Sequence, residues 1–134
     1  MEDFVNFSIA KKLKEKGFRE PCLGWYYPFE VCGFDYKTSI VFNNSAYRGS
    51  NYKDMLVSHK DEKYIDAPTI SQVLKWLRDE KKIYLYIDVD DKDWFFEIKF
   101  LKTHKVLNPN LIGRYNSYEL AGIAGIEYVI NNLI

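Results

Sequence analysis

Cysteine and histidine are scarce in this chain of 134 residues, which contains two of each. Cys22 and Cys32 have no second Cys or His pair at the spacing of zinc ligands, and neither lies in a recognisable nucleophile motif. A thiolate–imidazole pair with His59 or His104 would need a spatial adjacency that a sequence does not establish. We therefore predict structural thiols, no metal site and no catalytic residue.

Net charge and long apolar runs are also missing. Lys plus Arg and Asp plus Glu number 19 each, so the chain as a whole has no electrostatic attraction to nucleic acid or anionic lipid. No apolar run approaches the roughly 20 residues that span a bilayer. The chain begins with acidic residues where a signal peptide has basic ones. We expect a cytoplasmic protein that does not engage membranes.

The glycine motifs that bind phosphate are absent as well, so we predict no cofactor. Aromatic residues, in contrast, make up 17% of the chain and include eleven tyrosines. Tyrosine is common in strands and at interfaces, so this excess favours a binding function only modestly. The fractions of hydrophobic residues (47%) and charged residues (28%) are those of a folded globular protein, and the length predicts a single domain, 1–134.

The first helical pattern covers about residues 4–16. Its apolar residues recur at every fourth position: Val5, Ile9 and Leu13. Four lysines lie on the outer face and in the last turns, which suits the negative end of a helix. Gly17 then predicts a left-handed stop, and Phe18 follows at the position that packs back against Leu13 in a Schellman motif.

The second helical pattern covers about residues 70–82. Thr69 and Gln72 have the spacing of a capping box, with Thr69 as the N-cap. The residues predicted to form its buried stripe are Ile70, Val73, Leu74 and Leu77.

The third helical pattern, about 117–132, is apolar almost all round, so we expect it to be covered on more than one side. Its N-cap is either Asn116, paired with Glu119, or Ser117. Two glycines inside it weaken the helix and indicate close packing: Gly122 and Gly125. A homodimer through this helix is one way to cover its apolar surface.

Two apolar strands between the second and third helices predict a β-hairpin with strands 83–89 and 94–101. One register, with Val89 opposite Trp94 and Ile83 opposite Phe100, places all eight alternating apolar residues on the same face. A slip by one residue would destroy this match, so the register is well specified.

Four aspartates lie within six positions at the tip of this hairpin: Asp88, Asp90, Asp91 and Asp93. An EF-hand loop starting at Asp88 requires oxygen ligands where Lys92 and Lys99 stand, and glycine where Asp93 stands. Alternation along a strand would also splay the carboxylates. We therefore predict a solvated turn rather than a calcium site.

Residues 19–66 contain shorter β-prone pieces at 24–31, 38–42 and 54–59, separated by Gly, Asn and Ser clusters. Residues 43–54 and 102–116 have the composition of loops. The order of helix, strands, helix, hairpin and helix predicts the α+β class, with helices packed on an antiparallel sheet.

Three stretches resemble a group of small uncharacterised proteins from gut Bacteroidetes and their phages or mobile elements. They are AKKLKEKGFREPC (10–22), NNS (43–45) and APTISQVLKWLRDEKKIYL (67–85). The resemblance covers most of the chain in outline and departs mainly in residues 23–66 and 102–116. It implies an intracellular accessory protein of mobile-element origin, with a short hairpin and a C-terminal helix, and it implies no activity, cofactor or catalytic residue.

The leading functional hypothesis is a non-enzymatic module that binds a protein partner. Its candidate binding residues are Tyr84, Tyr86, Phe95, Lys99, Trp25 and Tyr26, with Tyr47 and Tyr52 in a nearby Tyr-rich stretch. One alternative is nucleic-acid binding by the aromatic sheet face, although Asp88 and Glu97 share that face and would repel phosphate. The other is a small enzyme that uses an unrecognised set of Asp, His or Cys residues.

Overall fold

The structure, a computed structural model, describes residues 3–26, 30–31, 34–35, 40–42, 64–107 and 114–134. Its helices and antiparallel strands confirm the α+β class. The helices are α1 (Phe7–Glu15), α2 (Ile70–Glu80) and α3 (Tyr118–Asn132). The strands are β1 (Gly24–Tyr26), β2 (Glu30–Val31), β3 (Phe34–Asp35), β4 (Ile40–Phe42), β5 (Ile65–Ala67), β6 (Ile83–Val89), β7 (Trp94–Phe100) and β8 (Val106–Leu107).

The chain divides into two compact units. The first unit is Phe4–Thr69, and the second unit is Ile70–Ile134 together with Met1–Asp3. The described strands form sheets of order β4-β1-β5 and β2-β3 in the first unit and β6-β7-β8 in the second. The assignment of residues 1–134 to one domain stays a prediction.

Helix α1 of the first unit begins at Phe7, three residues later than predicted. Asn6 is its N-cap, and the Asn6 side chain accepts a hydrogen bond from the Ile9 amide at 3.0 Å. The preceding residues are extended because Phe4 forms a β-bridge with Thr69 and the Val5 amide donates to the Pro68 carbonyl at 3.0 Å. These partners are distant in sequence, so helical periodicity alone did not reveal the start.

The end of α1 confirms the predicted Schellman motif. Gly17 has φ +96°, the left-handed conformation that glycine adopts without strain. The Phe18 amide donates to the Leu13 carbonyl at 3.0 Å, and the Gly17 amide donates to the Lys14 carbonyl at 3.2 Å. Phe18 and Leu13 are both buried, as this motif requires of its apolar pair.

The first unit also contains two of the predicted β-prone pieces. The piece 24–31 forms β1 and β2, and the piece 38–42 contributes β4, which pairs antiparallel with β1. On its other edge β1 pairs with β5, which was not predicted. The piece 54–59 lies outside the described residues.

The second unit contains the predicted hairpin in the predicted register. Ile83 pairs with Phe100, Val89 pairs with Trp94, and every pair between them matches. Burial is deepest in the middle of the apolar face, at Leu85 and Ile98, and decreases toward the tip of the hairpin. The short strand β8 adds to β7 at residues predicted to be a loop.

Helices α2 and α3 pack on the apolar face of this hairpin. Helix α2 ends at Glu80, and Lys82 then adopts φ 57°, which turns the chain into β6. The buried side of α2 includes Trp76 in place of the predicted Leu74, which is half-buried. The indole can therefore reach the core from a position adjacent to the predicted stripe.

Helix α3 begins after Ser117, whose hydroxyl accepts from the Leu120 amide at 3.1 Å, so the second of the two predicted caps is the one observed. Its glycines face the hairpin closely. A Cβ atom at Gly125 would lie 2.9 Å from Leu85 Cδ1 and 3.0 Å from Phe96 Cγ. The predicted tight packing of this helix is confirmed.

Candidate functional site

The face of the β6-β7-β8 sheet opposite α2 and α3 carries most of the predicted binding residues. We call it the outer face, and it consists of Tyr84, Tyr86, Asp88, Phe95, Glu97, Lys99 and Val106. Strand alternation places these residues together, because their neighbours in sequence point into the apolar core. Lys99 pairs with Tyr84 on one neighbouring strand and with Val106 on the other. Tyr84 is 39% exposed and Val106 is 57% exposed, so the outer face is accessible to solvent on both sides of Lys99.

Tyr84 and Tyr86 form an aromatic pair on β6. Their ring centroids lie 5.2 Å apart with an interplanar angle of 25°, a stacked arrangement. The Tyr86 hydroxyl donates a hydrogen bond to the Glu97 carboxylate on the neighbouring strand. This hydrogen bond, with smaller contributions from burial and nearby negative charge, raises the pKa of Tyr86 to about 12. The hydrogen bond to Glu97 thus holds Tyr86 in place, whereas the Tyr84 ring is accessible to solvent.

Phe95 is covered by a residue that the sequence analysis missed. The Arg114 guanidinium lies 5.1 Å from the centre of the Phe95 ring, a cation–π distance, and also pairs with the Asp90 carboxylate. Arg114 belongs to the segment leading into α3, where the Tyr115 backbone bridges to Trp94. No local sequence pattern connects Arg114 to a hairpin more than a dozen residues earlier.

The aspartates at the tip of the hairpin serve the turn. Asp90 Oδ1 accepts from the amides of Lys92 and Asp93, both at 3.0 Å. These two hydrogen bonds, followed by that from Arg114, lower the pKa of Asp90. Asp88 accepts from the Val89 amide at 2.8 Å and remains exposed on the outer face. Within the described ranges, no group of three or more His, Cys, Asp or Glu residues could hold a metal ion.

The two remaining candidates, Trp25 and Tyr26, lie on β1 of the first unit. Tyr26 is only 4% exposed, and its hydroxyl donates to the Val5 carbonyl at 2.6 Å. Tyr26 is therefore a core residue rather than part of an accessible surface, because its polar atom is satisfied internally. Trp25 is half-buried, and its ring contacts the Tyr64 ring edge-on with the two ring centroids 4.5 Å apart. Tyr47 and Tyr52 lie outside the described residues.

Of the Cys and His candidates, Cys22 and His104 are among the described residues and belong to different units. Cys22 is fully buried in the first unit, and burial, with the nearby negative charges of Asp66 and Glu20, raises the pKa of its thiol. His104 is exposed in the turn before β8, with φ 60°. Cys32 and His59 lie outside the described residues.

Helix α3 buries one side against the sheet and keeps some apolar surface on the other. The buried residues are Ala121, Gly122, Gly125, Ile126, Val129 and Ile130. Leu120 remains exposed. Self-association through this helix stays a prediction.

Comparison with known proteins identified no relative. A scan against protein-family models, a search of curated proteins and a search of solved structures each found no match. The resemblance to Bacteroidetes and phage proteins therefore stays a prediction. In the described part of the chain, no helix is both long and apolar enough to cross a membrane.

Proposed function

We propose that this chain is a non-enzymatic binding module that recognises a protein partner through the outer face. In keeping with the resemblance noted above, we place it in the cytoplasm as an accessory protein of mobile-element origin. The observation that carries the proposal is the stacked pair of Tyr84 and Tyr86 on an open sheet face. Tyrosine is a frequent interface residue because it offers a large apolar ring with little rotamer freedom to lose and a hydroxyl for hydrogen bonding.

The surroundings of this pair favour a protein partner over a nucleic acid. Asp88 and Glu97 lie on the same face as the tyrosines, and Lys99 is its one lysine. Arg114, which lies over Phe95, is already paired with the Asp90 carboxylate. Phosphate groups would be repelled by this arrangement, whereas single-stranded nucleic-acid sites combine stacking rings with a positively charged groove.

The chemistry of the titratable groups supports binding over catalysis. The raised pKa of the buried Cys22 thiol keeps it protonated, and the thiolate is the nucleophilic form. The Asp90 carboxylate is held by two turn amides and Arg114, an arrangement that stabilises its charge rather than preparing it for proton transfer.

Site-specific photocrosslinking in the native host tests the proposal. A benzophenone amino acid replaces Tyr84 in one full-length variant and Tyr118 in another. Tyr118 is a matched control because it is 37% exposed but lies on the first turn of α3. We expect a defined protein to crosslink at position 84 and not at position 118.

The identified partner is then titrated against purified variants. We expect Tyr84→Ala to weaken binding about 30-fold, the effect of losing an interface hot spot, and Tyr118→Ala to leave affinity unchanged. Equal affinity for Tyr84→Ala and the unsubstituted chain contradicts the proposal. A low-salt mobility shift with RNA or DNA that Tyr84→Ala abolishes would instead support the nucleic-acid alternative.

A further inference from the structure

Charged side chains on the outer face are separated along the strands. Asp88 lies in the cross-strand row nearest the hairpin tip, opposite Phe95, and Lys99 lies in the row furthest from it, opposite Tyr84. Four residue positions separate these two rows, which corresponds to about 14 Å along the strands. Among the described residues, no ion pair includes Asp88 or Lys99. Both charges can therefore interact with a group that approaches the face from outside.

The turns at the two ends of the sheet continue this separation of charge. Residues 88–93, at the tip, contain four aspartates and one lysine, and an arginine from the segment before α3 pairs with one of these aspartates. Residues 99–105, at the opposite end, contain three lysines and no acidic residue. Asp91 is exposed at the tip, as Lys102 and Lys105 are in the opposite turn. The sheet thus has a negative end and a positive end.

A surface with opposite charges at its two ends complements a second copy of itself that is turned end for end. The row of Tyr86 and Glu97 lies midway between the row of Asp88 and the row of Lys99. A two-fold axis that crosses the strands at this middle row places the negative end of each copy over the positive end of the other. Facing sheets pack about 10 Å apart, a distance that lysine and tyrosine side chains span.

In this arrangement every favourable contact is made twice, as in any isologous interface. Asp88 of one copy faces the row that holds Lys99 of the other, and the exposed Tyr84 ring lies in that same row. The stacked rings of Tyr84 and Tyr86 from both copies meet near the centre and remove apolar area from water. The aspartates of each tip approach the lysines in turn 101–105 of the second copy.

Glu97 is the charged residue of the outer face that would meet its own equivalent. It lies in the middle row, next to the axis, and its carboxylate accepts a hydrogen bond from the Tyr86 hydroxyl. One repulsive pair is thus opposed by two pairs of Asp88 with Lys99 and by the contacts of the turns. This imbalance predicts net attraction, and it identifies Glu97 as the position at which a substitution can strengthen association.

We propose that this chain forms a weak symmetric dimer in which the outer faces of two copies pack end for end and Asp88 of each copy pairs with Lys99 of the other. The inference rests on the protein-binding function proposed for the outer face and names the partner as a second copy. Seven residues along three strands cover roughly 24 Å by 14 Å, which is less than half of the about 800 Å² per partner in a stable interface. We therefore expect a dissociation constant of about 100 µM.

Sedimentation velocity on the full chain measures this association. At about 500 µM protein and about 50 mM salt, where surface charges are weakly screened, we expect the unsubstituted chain to be mostly dimeric. The dimer should dissociate on dilution and at higher salt, because charge pairing contributes to it. A chain that remains monomeric at this concentration and low salt overturns the inference.

Reciprocal charge reversal tests the pairing of Asp88 with Lys99. Asp88→Lys places lysines against each other at both ends of the dimer, and Lys99→Asp does the same with aspartates, so each variant alone should dimerise about tenfold more weakly. An equimolar mixture restores opposite charges at both ends and should form a heterodimer of the original affinity. Rescue by mixing also shows that both variants are folded. A mixture that associates no better than the separate variants overturns the inference.

Two further variants test where the interface lies. Glu127→Lys makes the same change in net charge as Asp88→Lys but is exposed on α3, so it should leave the dissociation constant within about twofold. Glu97→Gln keeps an acceptor for the Tyr86 hydroxyl and removes the repulsion at the axis, so dimerisation should strengthen about threefold. A dimer that Glu127→Lys disrupts and Asp88→Lys does not would belong to α3 and would overturn the inference.

The protein that crosslinks at position 84 separates this inference from the proposed function. If it is the chain itself, and the mixture of charge variants rescues dimerisation, both proposals are supported. If it is a different protein and the purified chain is monomeric, the outer face is a binding surface but the second copy is wrong. If nothing crosslinks at position 84 and the chain is monomeric, both proposals are wrong.

Discussion

Replacing Gly125 with alanine tests how closely α3 packs on the hairpin. The new methyl group would lie 2.9 Å from Leu85 Cδ1, 3.0 Å from Phe96 Cγ and 3.2 Å from Leu85 Cδ2. Both neighbours are buried, and the Phe96 atom is the ring carbon nearest the backbone, which cannot swing aside as a terminal methyl can. The helix or the sheet must therefore shift to admit the methyl group.

Two effects of opposite sign decide the result. Alanine is a better helix former than glycine by about 1 kcal/mol, which would raise the free energy of unfolding. Inserting a methyl group into a well-packed core lowers it by about 1–3 kcal/mol. With contacts this short on a ring carbon, we expect the packing effect to exceed the propensity effect. The expected net loss in the free energy of unfolding is about 1 kcal/mol.

Two further variants separate these effects. Ala124→Gly, at a half-buried position of the same helix, measures the propensity difference and should cost about 1 kcal/mol. In Gly122→Ala the nearest atoms are Ile70 Cγ2 at 3.1 Å and Ile87 Cδ1 at 3.2 Å, both longer contacts than the nearest one at Gly125. The Ile87 terminal methyl is half-buried and can adjust, whereas the Ile70 branch methyl is buried and moves only with χ1. We therefore expect a small packing cost to offset the gain in helix propensity, so that Gly122→Ala is within about 0.5 kcal/mol of neutral.

Urea unfolding followed by far-ultraviolet circular dichroism provides the free energies, with tryptophan fluorescence as the second probe. We expect Gly125→Ala to be the less stable of the two alanine variants. A Gly125→Ala variant more stable than the unsubstituted chain by the full propensity difference would refute this expectation, because the methyl group would then have found space at no cost.

The remaining predictions concern the helix cap and the hairpin. Ser117→Ala removes the acceptor for the Leu120 amide and should lower the free energy of unfolding by about 1 kcal/mol, whereas Ser117→Asp should retain most of it in urea titrations. Because the pKa of Tyr86 is raised from 10.0 to about 12, its contribution to stability is complete below pH 10 and is lost as the pH rises to about 12. Tyr86→Phe should lack both this loss and one tyrosine that titrates near pH 12 in an ultraviolet absorbance titration; an unchanged titration would contradict the assignment. The lowered pKa of Asp90 stabilises the hairpin tip above the ordinary value of 3.8, and this contribution is lost as the pH falls through the lowered pKa. NMR shifts of the tip amides should follow that titration and should be flat in Asp90→Asn.

Several features of the fold follow from patterns that are local in the sequence. The hairpin register was predictable because a shift by one residue would move every apolar side chain of 83–89 to the wrong face. The end of α1 was predictable because Gly17 and Phe18 carry the complete signature of a Schellman motif. The close packing of α3 was predictable because glycine destabilises a helix interior, so its presence there indicates a close contact. At Gly125 that contact is with Leu85 and Phe96 of the hairpin.

Other features depend on partners that are distant in sequence. Phe4 and Val5 fit the helical pattern of α1 but are extended, because Thr69 and Pro68 lie beside them. Strand β8 is only two residues long and is defined by its pairing with β7, not by its own periodicity. Trp76 rather than Leu74 is buried, since the shape of the neighbouring surface selects which side chain reaches the core.

The candidate binding residues also divide into features that are local in the sequence and features that depend on distant partners. That Tyr84, Tyr86, Phe95 and Lys99 share one face of the hairpin was predictable from their spacing, because strand alternation has a fixed period of two. The burial of Tyr26 and the contact of Arg114 with Phe95 were not predictable in this way. Burial and cation–π contact depend on the three-dimensional proximity of segments far apart in the chain, and no local spacing of residues encodes that proximity.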